Sequence, residues 1–135
     1  MAEGFAKKLL NDNGVSDVIA ESAGLDALDG APPTEETIEV MNARGVDITS
    51  HRSKPFTSDL GKNDMVLTMT RSQKDRILAE YPTLVGRVFM LDEYAKNRSE
   101  DIPDPFKGQT SYEETADRIE SSVKLVLGLP SKHEK

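Results

Sequence analysis

The chain has 135 residues, enough for one domain with a single core, and a net charge of −7 that disfavours general nucleic-acid binding, which needs a basic face. It contains no cysteine and only two histidines, His51 and His133, which excludes disulfides, zinc–thiolate sites, thiol nucleophiles within these residues and a histidine-rich metal centre. Its longest apolar runs fall far below the ~20 residues of a membrane span, and its first residues lack the charged-then-apolar order of a signal peptide. The expected location is the cytoplasm, with no membrane partner.

Residues 1–13 read as a helix with Ala2, Phe5 and Leu9 on one face and Gly14 as its stop. "DVIAESAG" (17–24) reads as a short strand, and "LDALDGAPP" as a turn-rich loop. Thr34 is placed to cap a helix whose first turn carries Glu35 and Glu36; Ile38 and Met41 face the core, and Gly45 closes it. "DMVLTM" (64–69) is a second strand. "TRSQ" (70–73) has capping-box form and opens a helix to about Glu80, before Pro82. "RVFML" (87–91) is a third strand. "SYEE" (111–114) opens the last helix, with Tyr112, Ala116, Ile119, Val123 and Val126 on its apolar face and Gly128 at its end.

This alternation predicts an α/β fold with a parallel sheet, in one domain over residues 1–128 with a polar tail at 129–135. One feature of the pattern is irregular. A crossover helix in a parallel sheet joins two strands, yet the opening helix has no strand feeding it. The arrangement is that of a βαβ unit without its first strand.

"DIPDPFKG" (101–108) carries the clearest chemical signal. Asp104 stands between Pro103 and Pro105, which restrict the backbone on both sides and hold its carboxylate in a stiff loop. Such a carboxylate is a general-acid candidate; in isolation a turn role is the ordinary reading.

The stretches "MAEGFAKKLL", "SAGL", "VMNARGVDITSHRSK", "DMVLTMTRSQKDRI", "VFMLDEYA" and "DIPDPFKG", with the final helix, together resemble the low-molecular-weight protein phosphatase family. The resemblance implies a doubly wound, four-stranded parallel sheet with helices on both faces, whose first, interior strand ends in a phosphate-binding C-x5-R-[ST]-P loop. A cysteine thiolate there attacks phosphorus, and an aspartate in a later D-P loop protonates the leaving group and then activates water. Asp104 matches that aspartate. Met1 matches the methionine just after the loop, so the strand, the loop and the nucleophile are expected upstream of this chain. Either an internal methionine has been taken as the start, or the chain is a truncated member of the family. As it stands the chain is expected to be inactive, and the alternative is a non-catalytic binding or regulatory remnant of the same fold.

The resemblance also implies substrate contacts at Phe106, after the acid, and at Leu28, in a loop where tyrosine-specific members often carry an aromatic. "DPF" is closer to the subgroup that includes protein-arginine phosphatases. The substrate class is a phosphorylated protein side chain, and neither metal nor organic cofactor is implied. Arsenate reductases of this fold need two further cysteines in the body of the chain, which are absent here. His51 reads as structural. Arg52, Lys54, Arg71 and Lys74 read as solvated charges more readily than as a phosphate rim. Ser22 and Ser72 have no evident base.

An interior strand contributes about five buried side chains at ~1.5–3 kcal/mol each, comparable with a total domain stability of ~5–15 kcal/mol. Its loss leaves two strand edges unpaired, through which the chain would associate. The 135-residue chain alone is expected to be poorly stable, aggregation-prone or oligomeric. Calorimetry with light scattering checks this: a sharp, reversible melt of a monomer above about 60 °C, the upper range for mesophile domains, would refute it.

Overall fold

The structure, a computed structural model, describes residues 1–25, 29–57, 65–98, 100–105, 108 and 111–129. Helix α1 (Ala2–Asp12) is followed by Gly14 at φ +68°, the left-handed position that glycine occupies without strain. Helix α2 (Glu35–Ala43) starts at Thr34, whose hydroxyl accepts the Thr37 N–H at 3.3 Å. Strand β1 (Val66–Thr68) leads into α3 (Arg71–Glu80), capped by Thr70 and Gln73 in reciprocal fashion. A 3-10 turn at Pro82–Leu84 follows, then strand β2 (Val88–Met90), helix α4 (Leu91–Lys96) and helix α5 (Tyr112–Leu127), which Ser111 caps by accepting the Glu114 N–H at 3.0 Å.

β1 and β2 pair in parallel, with Val66 opposite Val88 and Thr68 opposite Met90. Parallel strands need a crossover, and α3 supplies it. Alternate side chains leave the sheet on opposite faces. Leu67 packs against the core cluster that contains Phe5 and Leu9 of α1, Met41 of α2 and Ala116, Ile119 and Val123 of α5. Val66 and Val88 pack on the other side with Ile77 of α3 and Leu84. Helices therefore cover both faces of an α/β layer, as the resemblance implies.

Two expectations need correction. Residues 17–24 do not form a strand; Gly24 makes a single parallel bridge to Pro55, while Val18 and Ile19 are 46% and 83% exposed. A strand is defined by its partner, and no ladder runs alongside this segment among the described residues. Conversely, the strand expected at 87–91 stops at Met90, and Leu91 already begins α4. Asp92 and Glu93 suit the first turn of that helix, and Glu93 Oε1 accepts the Met90 N–H at 3.3 Å. Of the tail expected at 129–135, residues 130–135 lie outside the described residues.

Asp92 is the charged centre of the helical layer. Its side chain is fully buried, yet Oδ1 accepts the Ser122 hydroxyl at 2.6 Å, and Oδ2 lies 2.9 Å from Arg118 Nη2 and 3.3 Å from Arg98 Nη2. Burial pushes its carboxyl up, but the hydrogen bonds from Ser122 and Arg118 and the charges of Lys96 and Arg118 outweigh it and hold the group below its ordinary value. The cluster ties α4 to α5. At Gly4 the packing is equally specific: a Cβ there would lie 3.1 Å from each of Ile48 Cγ2, Met41 Cε and Val46 Cγ1.

A folded pKa below the unfolded one gives stability that is full above the unfolded value and is lost as pH falls through the folded value. Asp92→Ala should cost about 2–3 kcal/mol near pH 7, less than the ~3–5 kcal/mol for a wholly buried pair, because both guanidinia remain partly in water. Urea midpoints between pH 7 and pH 3 should fall less steeply in Asp92→Asn than in the parent. Gly4→Ala gains ~1 kcal/mol of helix propensity but overpacks against two β-branched side chains at a cost of ~1–3 kcal/mol. The net change expected in the same melts is destabilising; an increase in midpoint would show that Ile48 and Val46 can move aside.

Candidate active site

The candidate site lies beyond the C-terminal end of β1, where parallel sheets place their ligands. Met69 follows β1, and its carbonyl accepts the Ile102 N–H at 2.9 Å. Ile102 is 2% exposed and belongs to the main core, so the base of the 101–105 segment is held by both packing and hydrogen bonding. One residue earlier, Asp101 Oδ1 accepts the Arg71 N–H at 2.9 Å, at the start of α3. Beyond this base Pro103, Asp104 and Pro105 line a cleft of about 1080 Å³. This is at the top of the ~300–1,000 Å³ usual for small-molecule pockets.

Asp104 is exposed at the cleft. Met1 and Ala2 bring the first turn of α1 to the wall of the same cleft. The N-terminal end of a helix carries a partial positive charge and amides that suit an anion. Thr115 and Ile119 of α5 and Gln73 and Arg76 of α3 complete the lining used here. Thr115 is 3% exposed, and its hydroxyl has no hydrogen-bond partner among the described residues.

Behind the first turn of α1, Glu3 Oε1 accepts the Ser22 hydroxyl at 2.8 Å, and Oε2 lies 2.8 Å from Lys7 Nζ and 3.5 Å from His51 Nδ1. Burial raises the Glu3 carboxyl, but the hydrogen bonds from Lys7 and Ser22 and the charges of Lys7 and His51 bring it below its ordinary value. The network fastens α1 to the 17–25 segment, and His51 has the structural place expected of it.

The four basic residues considered as a rim are engaged elsewhere. Arg71 and Lys74 lie 3.8 and 2.8 Å from Glu93, Lys54 lies 3.9 Å from Glu21, and Arg52 donates to the carbonyls of Thr49 and His51. Among the described residues Arg76 lines the cleft, and its side chain also holds Glu80 at 3.2 Å. Phe106 and Leu28 lie outside the described residues. Sequence reasoning identified Asp104 through its flanking prolines. It passed over Asp101, whose partner stands 30 positions away and leaves no local signal.

The family of low molecular weight phosphotyrosine protein phosphatases matches residues 1–133. The chain belongs to that family. It is 38% identical over 104 residues to a probable low molecular weight protein-tyrosine-phosphatase, EpsP, of Ralstonia nicotianae, covering 76% of this chain and 70% of the relative. A protein-arginine-phosphatase of Bacillus subtilis is 30% identical over 126 residues, covering 92% and 83% of the two chains. Among solved structures, the YwlE arginine phosphatase, in a cysteine-to-serine variant with a phosphorylated active-site serine, superposes with a TM-score of 0.86 at 28% identity, over 94% of this chain and 84% of that one. The family has members named for phosphotyrosine and for phosphoarginine, and its fold is the α/β layer described above. No described helix is long and apolar enough to cross a membrane.

Proposed function

We propose that this chain is the body of a phosphomonoester hydrolase acting on phosphorylated protein side chains, with Asp104 as its general acid and then its general base. The observation that carries this reading is the position of Asp104: between two prolines, on a loop bolted to the end of β1, facing a cleft that the first turn of α1 also lines. The nucleophile is a cysteine of a C-x5-R-[ST]-P loop upstream of Met1, which α1 would receive at its positive end. Its thiolate forms a bond to phosphorus as the bond from phosphorus to the leaving oxygen breaks, and Asp104 gives that oxygen its proton. The carboxylate then takes a proton from water, whose oxygen attacks phosphorus and breaks the S–P bond to release phosphate and thiolate.

A strand leading to that loop would run along the edge of β1 opposite β2. The YwlE variant carries a phosphorylated active-site serine, an O–P analogue of the S–P intermediate proposed here, in a similar structure. Phe106 and Leu28 are the proposed contacts to the substrate side chain. The cysteine-free sequence favours a second reading, in which these residues alone form a binding or regulatory module that pairs its open edge with a partner.

The test is turnover of p-nitrophenyl phosphate. The 135-residue chain should show none above blank. A form extended by the upstream strand and loop should turn over, and Asp104→Ala in that form should lower kcat by about 10²–10⁴-fold, the usual contribution of a positioned acid. Full activity of the extended form with Ala at 104 would reject the role given to Asp104. An inactive extended form would favour the binding module.

A further inference from the structure

The loop that carries Asp104 has a fixed base and a stiff stem. The fixed base is the junction between β1 and α3. Gln73 Oε1 accepts the N–H groups of Met69 and Thr70 at 3.0 and 3.2 Å, and Thr70 Oγ1 accepts the Gln73 N–H at 3.2 Å. Thr68 Oγ1 donates to the Thr70 carbonyl at 2.9 Å. The loop joins this junction through two bonds of opposite sense: Ile102 N–H to the Met69 carbonyl, and Arg71 N–H to Asp101 Oδ1, each 2.9 Å. Arg71 is the first residue of a ten-residue helix, so its amide has no partner within the helix. A carboxylate placed there also meets the positive end of the dipole.

The stem is short. From Ile102 to Asp104 the chain passes through Pro103 alone, whose φ is fixed by its ring. Ile102 and Asp104 each precede a proline and are held in the extended region. A displacement at Asp101 therefore has few soft torsions in which to be absorbed before it reaches Asp104.

We infer that Asp101 is the positioning residue of the acid loop: by holding the Arg71 amide, its carboxylate fixes where the Asp104 carboxyl meets the leaving group. Asp101 acts through Asp104 and makes no step of its own. The inference rests on the reading of Asp104 as the general acid, and it concerns the protonation of the leaving group more than the binding of phosphate.

The experiment compares Asp101→Ala, Asp101→Asn and Asp104→Ala in the extended form on two esters, p-nitrophenyl phosphate and phenyl phosphate. Phenol is the poorer leaving group and depends more on a placed proton. Asp101→Ala should lower kcat on phenyl phosphate by about 10- to 100-fold, the scale of a misplaced catalytic group. The loss on p-nitrophenyl phosphate should be smaller and KM unchanged. Asp101→Asn, whose amide oxygen can accept the same bond, should restore most of kcat. In the extended form, amide exchange at Ile102 and Arg71 should quicken about tenfold in Asp101→Ala, the same scale as the kinetic loss, while Val123 in the core keeps its protection. Equal loss on both esters, or loss of protection at Val123, would mean a general stability role and overturns the inference. So does an unchanged kcat on phenyl phosphate in Asp101→Ala when Asp104→Ala loses it. If Asp104→Ala costs nothing, the acid reading itself fails; Ile102 exchange then decides the anchor, which stands on faster exchange and falls on unchanged exchange.

Discussion

The hydrogen bond from the Ile102 amide to the Met69 carbonyl joins the two halves of the chain at the point where the sheet ends. On one side of it stand β1 and the crossover helix α3. On the other stand Asp101, the proline-flanked Asp104 and the start of α5. Because Ile102 is also a core residue, the bond is shielded from water, and its loss would leave polar groups without partners near the core. The cleft has its shape because these segments cannot slide past one another there.

A second constraint comes from the buried Asp92. A carboxylate without water has to be matched, and Ser122, Arg118 and Arg98 match it from α5 and the end of α4. The ion cluster contributes orientation more than raw stability, since apolar residues could fill the same volume at comparable free energy. What it fixes is the register of α5 on α4. Thr115 and Ile119, one and two turns from the capped start of α5, consequently face the cleft.

These two anchors account for how a cleft can be formed by a sheet of two described strands. The helical layer closes on itself through the cluster of Phe5, Met41, Ala116 and Ile119, and β1 is attached to it through Leu67. Val18 and Ile19 are exposed apolar side chains in a segment whose one described pairing is the Gly24–Pro55 bridge.

Much of this was legible in the chain itself, and the reason is locality. Thr34, Thr70 and Ser111 cap helices by bonding amides three residues on, and Gly14, Gly45 and Gly128 end them at positive φ, so each signal lies within one turn of its effect. The same holds for the prolines that stiffen Asp104. Strand 17–24 misled because a β-pattern records only the capacity to pair, whereas pairing needs a partner elsewhere in the chain. Helix α4 was missed because it starts with no loop after β2, leaving no turn residues to mark the change. The sequence by itself determined the helix ends, the two-faced alternation of the sheet and the stiffness of the loop that carries Asp104. Tertiary structure decided that Asp101 meets Arg71, that Asp92 meets Arg118, and that Asp104 and the first turn of α1 line one cleft, because each depends on chain segments tens of residues apart being brought together by a shared core.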